Sequence, residues 1–148
     1  MVKRICNHCG KLFSGKRCPC RGGASRHVER QYHNSFYDSP AWRKLSRQVR
    51  VRDYNCDRLR LWFVKNGRPA DRAGSLLYSL AMTQPMSGVP LLVHHIVPRD
   101  EDASLQYTEA NLITLSSAVH ELVHSLYDCG LKADVQALLT TVVASPLP

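Results

Sequence analysis

Apolar residues recur along the chain with helical and with strand-like spacing. Trp42, Leu45 and Val49 repeat at intervals of three and four residues, which is the spacing of one helix face. Ser39 and Pro40 precede them, and these residue types are typical of an N-cap and of the first helical position. The pattern therefore predicts a helix that begins at Pro40.

A second set of elements is predicted in the C-terminal half. Residues 91 to 97 form an apolar, β-branched run that predicts a strand, and residues 112 to 115 predict a second strand. The serines that follow predict the start of a helix that runs to Asp128, with Gly130 as its stop. Residues 131 to 144 predict another helix, so the fold class is α+β.

Charge is distributed unevenly over the 148 residues. The net charge is +8, but residues 1 to 60 carry +11 and residues 61 to 148 carry −3. A basic half favours a polyanionic partner, and nucleic acid fits better than a membrane because no apolar face accompanies the charge. We find no secretory signal and no run of about 20 apolar residues, so a cytoplasmic protein is expected.

Four cysteines lie within the first twenty residues. The pattern is a Cys-x-x-Cys pair followed by a Cys-x-Cys pair, made by Cys6, Cys9, Cys18 and Cys20. In the cytoplasm, clustered thiols bind metal more often than they form disulfides, so we predict a structural Zn²⁺ site. The second pair has one spacer residue instead of two, and His8 or an outside ligand is an alternative to one of the cysteines.

Four of the seven histidines lie between residues 93 and 124. His120 and His124 are four residues apart, so on a helix both imidazoles face the same way and can reach one ion. His94 and His95 are neighbours in the predicted strand, so their side chains point to opposite faces. One of the two can bind metal while the other acts as a base, which is the division that phosphodiester hydrolysis needs.

These residues resemble the HNH, or ββα-metal, endonucleases, and most closely the phage-type members. The resemblance rests on three blocks, which are His94 to Pro98, Asn111 with Leu112, and His120 to His124. It implies a ββα-metal nuclease core that cleaves DNA with one divalent ion, Mg²⁺, Mn²⁺, Ni²⁺ or Zn²⁺.

The resemblance also implies a role for each residue. His95 would be the general base, and His94, His120 and His124 would hold the ion. Asn111 would orient His95 or would itself be a metal ligand. Arg99 would contact a phosphate of the substrate.

The chain departs from the phage-type pattern in one respect. Those proteins often carry a second set of four cysteines inside the nuclease module. The corresponding positions here hold Cys56, Leu59, Ser116 and Val119. An internal zinc site is therefore not expected, and we predict that Cys56 and Cys129 are buried free thiols.

These observations give one prediction for the whole chain. Residues 1 to 35 form a zinc-knuckle-like module and linker, residues 36 to 128 form the nuclease domain, and residues 129 to 148 form a helical tail. The basic face of the first helix is expected to contact DNA phosphates through Arg43, Lys44, Arg47 and Arg50. By analogy with small phage proteins, a packaging terminase is a second expected partner.

Two other functions fit parts of the sequence. His120-Glu121-Leu122-Val123-His124 matches the His-Glu-x-x-His pattern of zinc metalloproteases, with Glu121 as the base. That hypothesis lacks a third histidine or glutamate ligand after His124 and gives no role to His95 or Asn111. The other alternative is a zinc-containing DNA-binding module whose catalytic site is degenerate.

Overall fold

A computed structural model describes residues 3–5, 12–14 and 35–148. The described part of the chain is α+β, with helices and two small two-stranded sheets, and the chain divides into two compact units, Met1–Trp42 and Arg43–Pro148. The predicted zinc ligands Cys6, Cys9, Cys18 and Cys20 lie outside the described residues. Among the described helices, none combines the length and the apolar character that a membrane span requires.

In the first unit, strands β1 (Arg4–Ile5) and β2 (Leu12–Phe13) form an antiparallel pair. Helix α1 spans Pro40–Arg52 and begins where the sequence predicts. Its cap is Ser39, whose Oγ accepts a hydrogen bond from the Trp42 N–H at 3.2 Å. The predicted N-cap is therefore confirmed.

The second unit contains a helical shell and one hairpin. Its further elements are helix α2 (Arg58–Asn66), helix α3 (Arg72–Thr83), strand β3 (Leu91–His95), strand β4 (Leu112–Ser116), helix α4 (Ser117–Leu126) and helix α5 (Lys132–Ala144). Short 3₁₀ turns occupy Ala103–Leu105 and Glu109–Asn111, within the long loop that joins the two strands.

The hairpin pairs β3 with β4 in antiparallel register, from Leu91 opposite Ser116 to His95 opposite Leu112. Both strands were predicted, although β3 ends at His95 and not at residue 97. All five residues of β4 are buried. The hairpin therefore holds the His94-His95 pair against the interior, and β4 lies within the core.

The core fills the space between the hairpin and helices α2 to α5. Fully or almost fully buried apolar side chains come from every one of these elements and include Leu59, Phe63, Leu77, Ile113, Leu115, Val119, Val123, Val135 and Leu139. Helix α2 was not predicted, because its apolar run is short and lies between arginines. Asp57 begins it by accepting the Arg60 N–H at 3.1 Å.

Helices α4 and α5 are joined by a tight kink at Tyr127–Leu131. Gly130 lies there at φ 84°, a left-handed conformation that favours glycine. Helix α4 ends at Leu126, slightly before the predicted Asp128. The kink turns the chain so that α5 packs back on the core, and it places Tyr127 beside β3.

Cysteine burial differs from the prediction. Cys129 is exposed in the kink and Cys56 is only half-buried, so the expectation that both are buried thiols was wrong. Leu59 and Val119 are fully buried in the apolar core. Cys56 and Ser116 line a cavity of about 50 Å³ beside the start of α2.

A buried carboxylate connects α1, α2 and β4. Asp53 is fully buried and accepts hydrogen bonds from the guanidinium groups of Arg52, at 2.8 and 3.0 Å, and of Arg58, at 2.6 Å. It also accepts the Thr114 N–H at 2.9 Å. Burial by itself would raise the pKa of Asp53, but these donors outweigh burial and hold the pKa below its ordinary value.

A second carboxylate binds the same strand two residues further on. Asp57 accepts the Ser116 N–H at 2.8 Å, in addition to capping α2. Burial is the main effect on Asp57 and raises its pKa, and the hydrogen-bond donors around the carboxylate oppose this only in part. The N–H groups of alternate residues on β4 are thus satisfied by side chains that come from the turn after α1.

We expect Asp53→Asn to lower the free energy of unfolding at pH 7 by about 3–5 kcal/mol, since it leaves two guanidinium groups without their carboxylate. Urea denaturation followed by circular dichroism measures this loss. Because the folded-state pKa lies below the unfolded one, the contribution of Asp53 is present above about pH 4 and is lost as the pH falls through the folded-state pKa. The difference in the free energy of unfolding between wild type and Asp53→Asn should therefore become smaller in acid.

Asp57→Asn is the matched control. The asparagine keeps one acceptor oxygen and leaves no arginine without its partner. We therefore expect a smaller loss in the free energy of unfolding, about 1–2 kcal/mol. Its pKa is raised, so the stability that Asp57 contributes is present in acid and declines as the pH rises through the folded-state pKa. The difference in the free energy of unfolding between wild type and Asp57→Asn should therefore become larger in acid. Parallel pH profiles for the two variants would contradict the roles assigned to these carboxylates.

Candidate metal centre

Three imidazoles converge where strand β3 faces helix α4. His94 on β3 and His120 and His124 on α4 each offer one ring nitrogen, and these nitrogens all lie within 4.8 Å of one another. Among the described residues, no other group of three or more histidine, cysteine or acidic side chains comes together in this way. The spacing on the helix predicted His120 and His124 and left the strand ligand open between His94 and His95, and the resemblance implied His94.

The distances fit a single metal ion. The Nε2 atoms of His120 and His124 are 3.1 Å apart, and the ring centroid of His94 lies 5.2 Å from each of their rings. Metal–nitrogen bonds of about 2.1 Å place ligand atoms about 3.0–3.4 Å apart in octahedral or tetrahedral geometry. Small side-chain adjustments therefore bring the three nitrogens to one ion, with further positions left for water or substrate.

The electrostatic environment keeps two of these imidazoles, those of His94 and His120, neutral. Burial, followed by the neighbouring imidazoles, lowers the pKa of His94 from 6.5 to about 3. Burial and the imidazole of His124 lower the pKa of His120 to about 4. A histidine must be neutral to bind a metal ion, so near pH 7 both side chains are in the ligating form.

His95 lies next to His94 in sequence but has a different partner. Its Nε2 lies 3.0 Å from the backbone carbonyl oxygen of Gln106, in the loop between the strands. A carbonyl can only accept, so Nε2 carries the proton and the lone pair of the ring is on Nδ1. Burial lowers the pKa of His95, the Gln106 carbonyl opposes this, and Arg99 lowers it further. The neutral ring is thus held in a tautomer suited to a base.

Asn111 holds the loop that carries this carbonyl. Its Oδ1 accepts the Val97 N–H at 2.8 Å, and its Nδ2 donates to the carbonyl oxygens of Val97 at 3.0 Å and Leu105 at 3.4 Å. Its own carbonyl accepts the Ile96 N–H at 2.8 Å. Asn111 therefore closes the two ends of the loop and acts on His95 through the backbone.

The carbonyl oxygen of Ile96 is also held from the C-terminal side. It accepts a hydrogen bond from the Tyr127 hydroxyl at 2.8 Å and from Nε2 of Gln136 at 3.0 Å. The Tyr127 oxygen lies 3.4 Å from Nε2 of His94. Sequence reasoning missed Tyr127 and Gln136, because each contacts a backbone atom that only the fold brings near.

The remaining predicted residues lie at or beyond the edge of this centre. Nε of Arg99, on the loop, is 3.5 Å from the side-chain oxygen of Gln106, the residue whose carbonyl contacts His95. Of the predicted DNA contacts on α1, Arg43, Lys44 and Arg47 are exposed and Arg50 is half-buried.

Arg52 connects helix α1 to the loop beside Asn111. Besides its two bonds to Asp53, it donates to the carbonyl oxygens of Glu109 at 2.8 Å and Leu112 at 2.7 Å. These two residues flank Asn111 closely on either side. One planar guanidinium therefore fixes the segment from which Asn111 reaches across the loop.

No protein-family profile, curated protein sequence or solved structure matches this chain. The functional inference therefore rests on the chemistry of the site.

We expect His94→Ala to weaken Co²⁺ binding at this centre by at least about 100-fold, because loss of an outer-shell partner alone costs about 10–100-fold. Titration followed by visible absorption measures the affinity and separates imidazole from thiolate ligands. His95→Ala is the matched control, since its ring does not belong to the three-nitrogen group. Equal weakening by both substitutions would contradict the assigned ligand set.

Arg52→Lys should loosen the loop without unfolding the domain. Loss of the bonds that flank Asn111 is expected to reduce amide hydrogen-exchange protection of Ile96 and Val97 by about 10-fold, the effect of one or two hydrogen bonds. The control is Arg58→Lys, because Arg58 shares Asp53 but otherwise donates to carbonyls near the C-terminus. If both variants expose the two amides equally, Arg52 has no specific role in holding the loop.

Proposed function

We propose that this chain is a metal-dependent endonuclease of the HNH type that hydrolyses DNA phosphodiester bonds, with a ββα-metal core and a structural zinc module at its N-terminal cysteines. The proposal is supported mainly by the different surroundings of two adjacent histidines on strand β3. His94 belongs to a group of three imidazoles, while the adjacent His95 is held as a neutral base by a backbone carbonyl. Metal-assisted hydrolysis needs these two functions side by side.

In the proposed reaction, Nδ1 of His95 accepts a proton from a water molecule as the water oxygen attacks phosphorus. The bond between phosphorus and the 3′ oxygen breaks, which leaves 3′-hydroxyl and 5′-phosphate ends. A divalent ion bound by His94, His120 and His124 would supply the positive charge that offsets negative charge on the phosphate and the departing oxygen. Arg99 would contribute a further positive charge near the base.

DNA is the favoured substrate because of helix α1. Its sequence contains no acidic residue, and its exposed arginine and lysine side chains suit sequence-independent contacts with phosphates. Arg52, at the end of the same helix, is bonded to the loop beside Asn111. Phosphates bound along α1 would thus lie on the helix whose last residue, Arg52, is bonded to the loop that holds His95.

The metalloprotease alternative has less support. Glu121 lies between the two helical ligands in sequence, but it is exposed and does not belong to the metal-binding group. The third imidazole comes from strand β3, upstream of α4. That arrangement leaves Glu121 without a clear role and gives one to the adjacent His95.

Conversion of supercoiled plasmid tests the proposal, with Mg²⁺, Mn²⁺, Ni²⁺ or EDTA in each reaction. We expect wild type to nick or linearise the plasmid with metal, and EDTA to stop it. His95→Ala should lower the rate by about 10²–10⁴-fold, which is the usual contribution of a general base. Its affinity for Co²⁺ should stay unchanged, so the loss can be attributed to the base and not to the metal.

Glu121→Gln is the discriminating control. A nuclease of the proposed kind should retain most of its activity, whereas a protease would lose its base. Absence of cleavage by wild type with every metal, or equal cleavage by wild type and His95→Ala, would refute the proposed mechanism. Retained DNA binding in those cases would favour a DNA-binding module.

A further inference from the structure

The turn between α1 and α2 contains a conformation that its sequence does not favour. Tyr54 and Asn55 lie at φ 58° and φ 51°, both in the left-handed region. Asparagine tolerates this region, but for a bulky aromatic residue it is unfavourable. Glycine would adopt it without strain.

Backbone hydrogen bonds define this turn and do not require the tyrosine side chain. The Tyr54 N–H donates to the carbonyl of Val51 at 3.0 Å, and the Asn55 N–H donates to that of Arg50 at 2.7 Å. A glycine at position 54 would make the same bond. The shape of the turn therefore does not explain why an aromatic residue is present.

Polar and ring contacts within the described part of the chain do not explain it either. The Tyr54 residue is 58% exposed. Among the described residues, its hydroxyl makes no hydrogen bond and its ring meets no other aromatic ring or cation. A mostly exposed aromatic side chain in a strained conformation, with no hydrogen bond, ring or cation contact among the described residues, indicates a role outside the folded chain.

The surroundings of Tyr54 indicate what that partner is. Arg43, Arg47 and Arg50 follow one another at four and three residues, so they lie within about 60° of each other around α1. Tyr54 comes just beyond the C-terminal end of this row. The nearest acid in sequence, Asp53, is buried between two arginines and presents no charge to solvent.

We propose that Tyr54 is a nucleic-acid contact whose ring packs against a base or sugar of DNA, while the arginines of α1 bind the adjacent phosphates. This inference deepens the proposed function and rests on it for the identity of the polymer. Aromatic rings provide such contacts in nucleic-acid-binding proteins, and these contacts do not depend on the base sequence of the DNA. Binding would give the ring a contact that the described residues do not supply.

Fluorescence anisotropy with a labelled duplex, using the full chain without added divalent ion, tests this inference. We expect Tyr54→Gly to weaken DNA binding by about 5- to 100-fold, the usual range for loss of a stacked ring. Its melting temperature should be no lower than that of wild type, since glycine removes the strain. Tyr54→Phe keeps the ring and should bind as wild type does.

Asn55→Gly is the matched control, because it changes the other left-handed residue of the same turn and should leave DNA binding unchanged. The slope of log affinity against log salt concentration gives an independent readout. Tyr54→Gly should keep the slope, since tyrosine releases no counterion, whereas Arg47→Ala should reduce its magnitude by about one.

The outcomes separate this inference from the proposed function. Equal DNA affinity of wild type and Tyr54→Gly would overturn the role of Tyr54 and leave the nuclease proposal intact. A lower melting temperature for Tyr54→Gly would assign the residue to the fold and also overturn it. Binding that depends on Tyr54 in a chain that does not cleave DNA would support this contact and refute the nuclease. Absence of DNA binding by wild type would overturn both.

Discussion

The buried carboxylate of Asp53 is the interaction on which the rest of the second unit depends. A charge in that position is stable only because two guanidinium groups and one backbone N–H surround it. Each donor belongs to a different part of the chain, so satisfying the charge also fixes the geometry. Arg52 ends α1, Arg58 begins α2 and Thr114 lies on β4. The requirement to neutralise one buried charge therefore selects one arrangement of these elements.

A series of hydrogen bonds connects Asp53 to His95, the candidate base. Arg52 holds the segment around Asn111, Asn111 holds Val97 across the loop, and a carbonyl of the same loop holds His95. Each step after Arg52 has a backbone atom on one side, and only the side chains of Asn111 and His95 could change rotamer. A base positioned in this way loses little of its orientation to thermal motion, and orientation is a large part of what a catalytic group contributes.

The sequence placed the candidate metal ligands better than it placed the residues that support them. His120 and His124 share a helix face because of their spacing, and His94 precedes His95 on a strand, so local periodicity is enough to place all four. The start of α1 and both strands of the hairpin followed from equally local patterns. Helix α2 was missed because most of its stability comes from burial of Leu59 and Phe63, which depends on the tertiary structure.

The supporting contacts could not be predicted, for a physical reason. Tyr127 and Gln136 both donate to the carbonyl of Ile96, and every residue presents a carbonyl, so the sequence carries no mark of this site. Arg52 was one of many arginines in a basic half. Its role differs from that of Arg47 only because Asp53 is buried beside it, and burial depends on the whole fold.

The departure from four internal cysteines has a structural counterpart. The four positions hold Cys56, Leu59, Ser116 and Val119. Asp57 connects two of the segments concerned, since its carboxylate binds the N–H of Ser116 at the end of β4 and also caps α2. Leu59 and Val119, at two of the other positions, fill the core with apolar volume. Hydrogen bonds and packing thus connect the two segments that carry these positions.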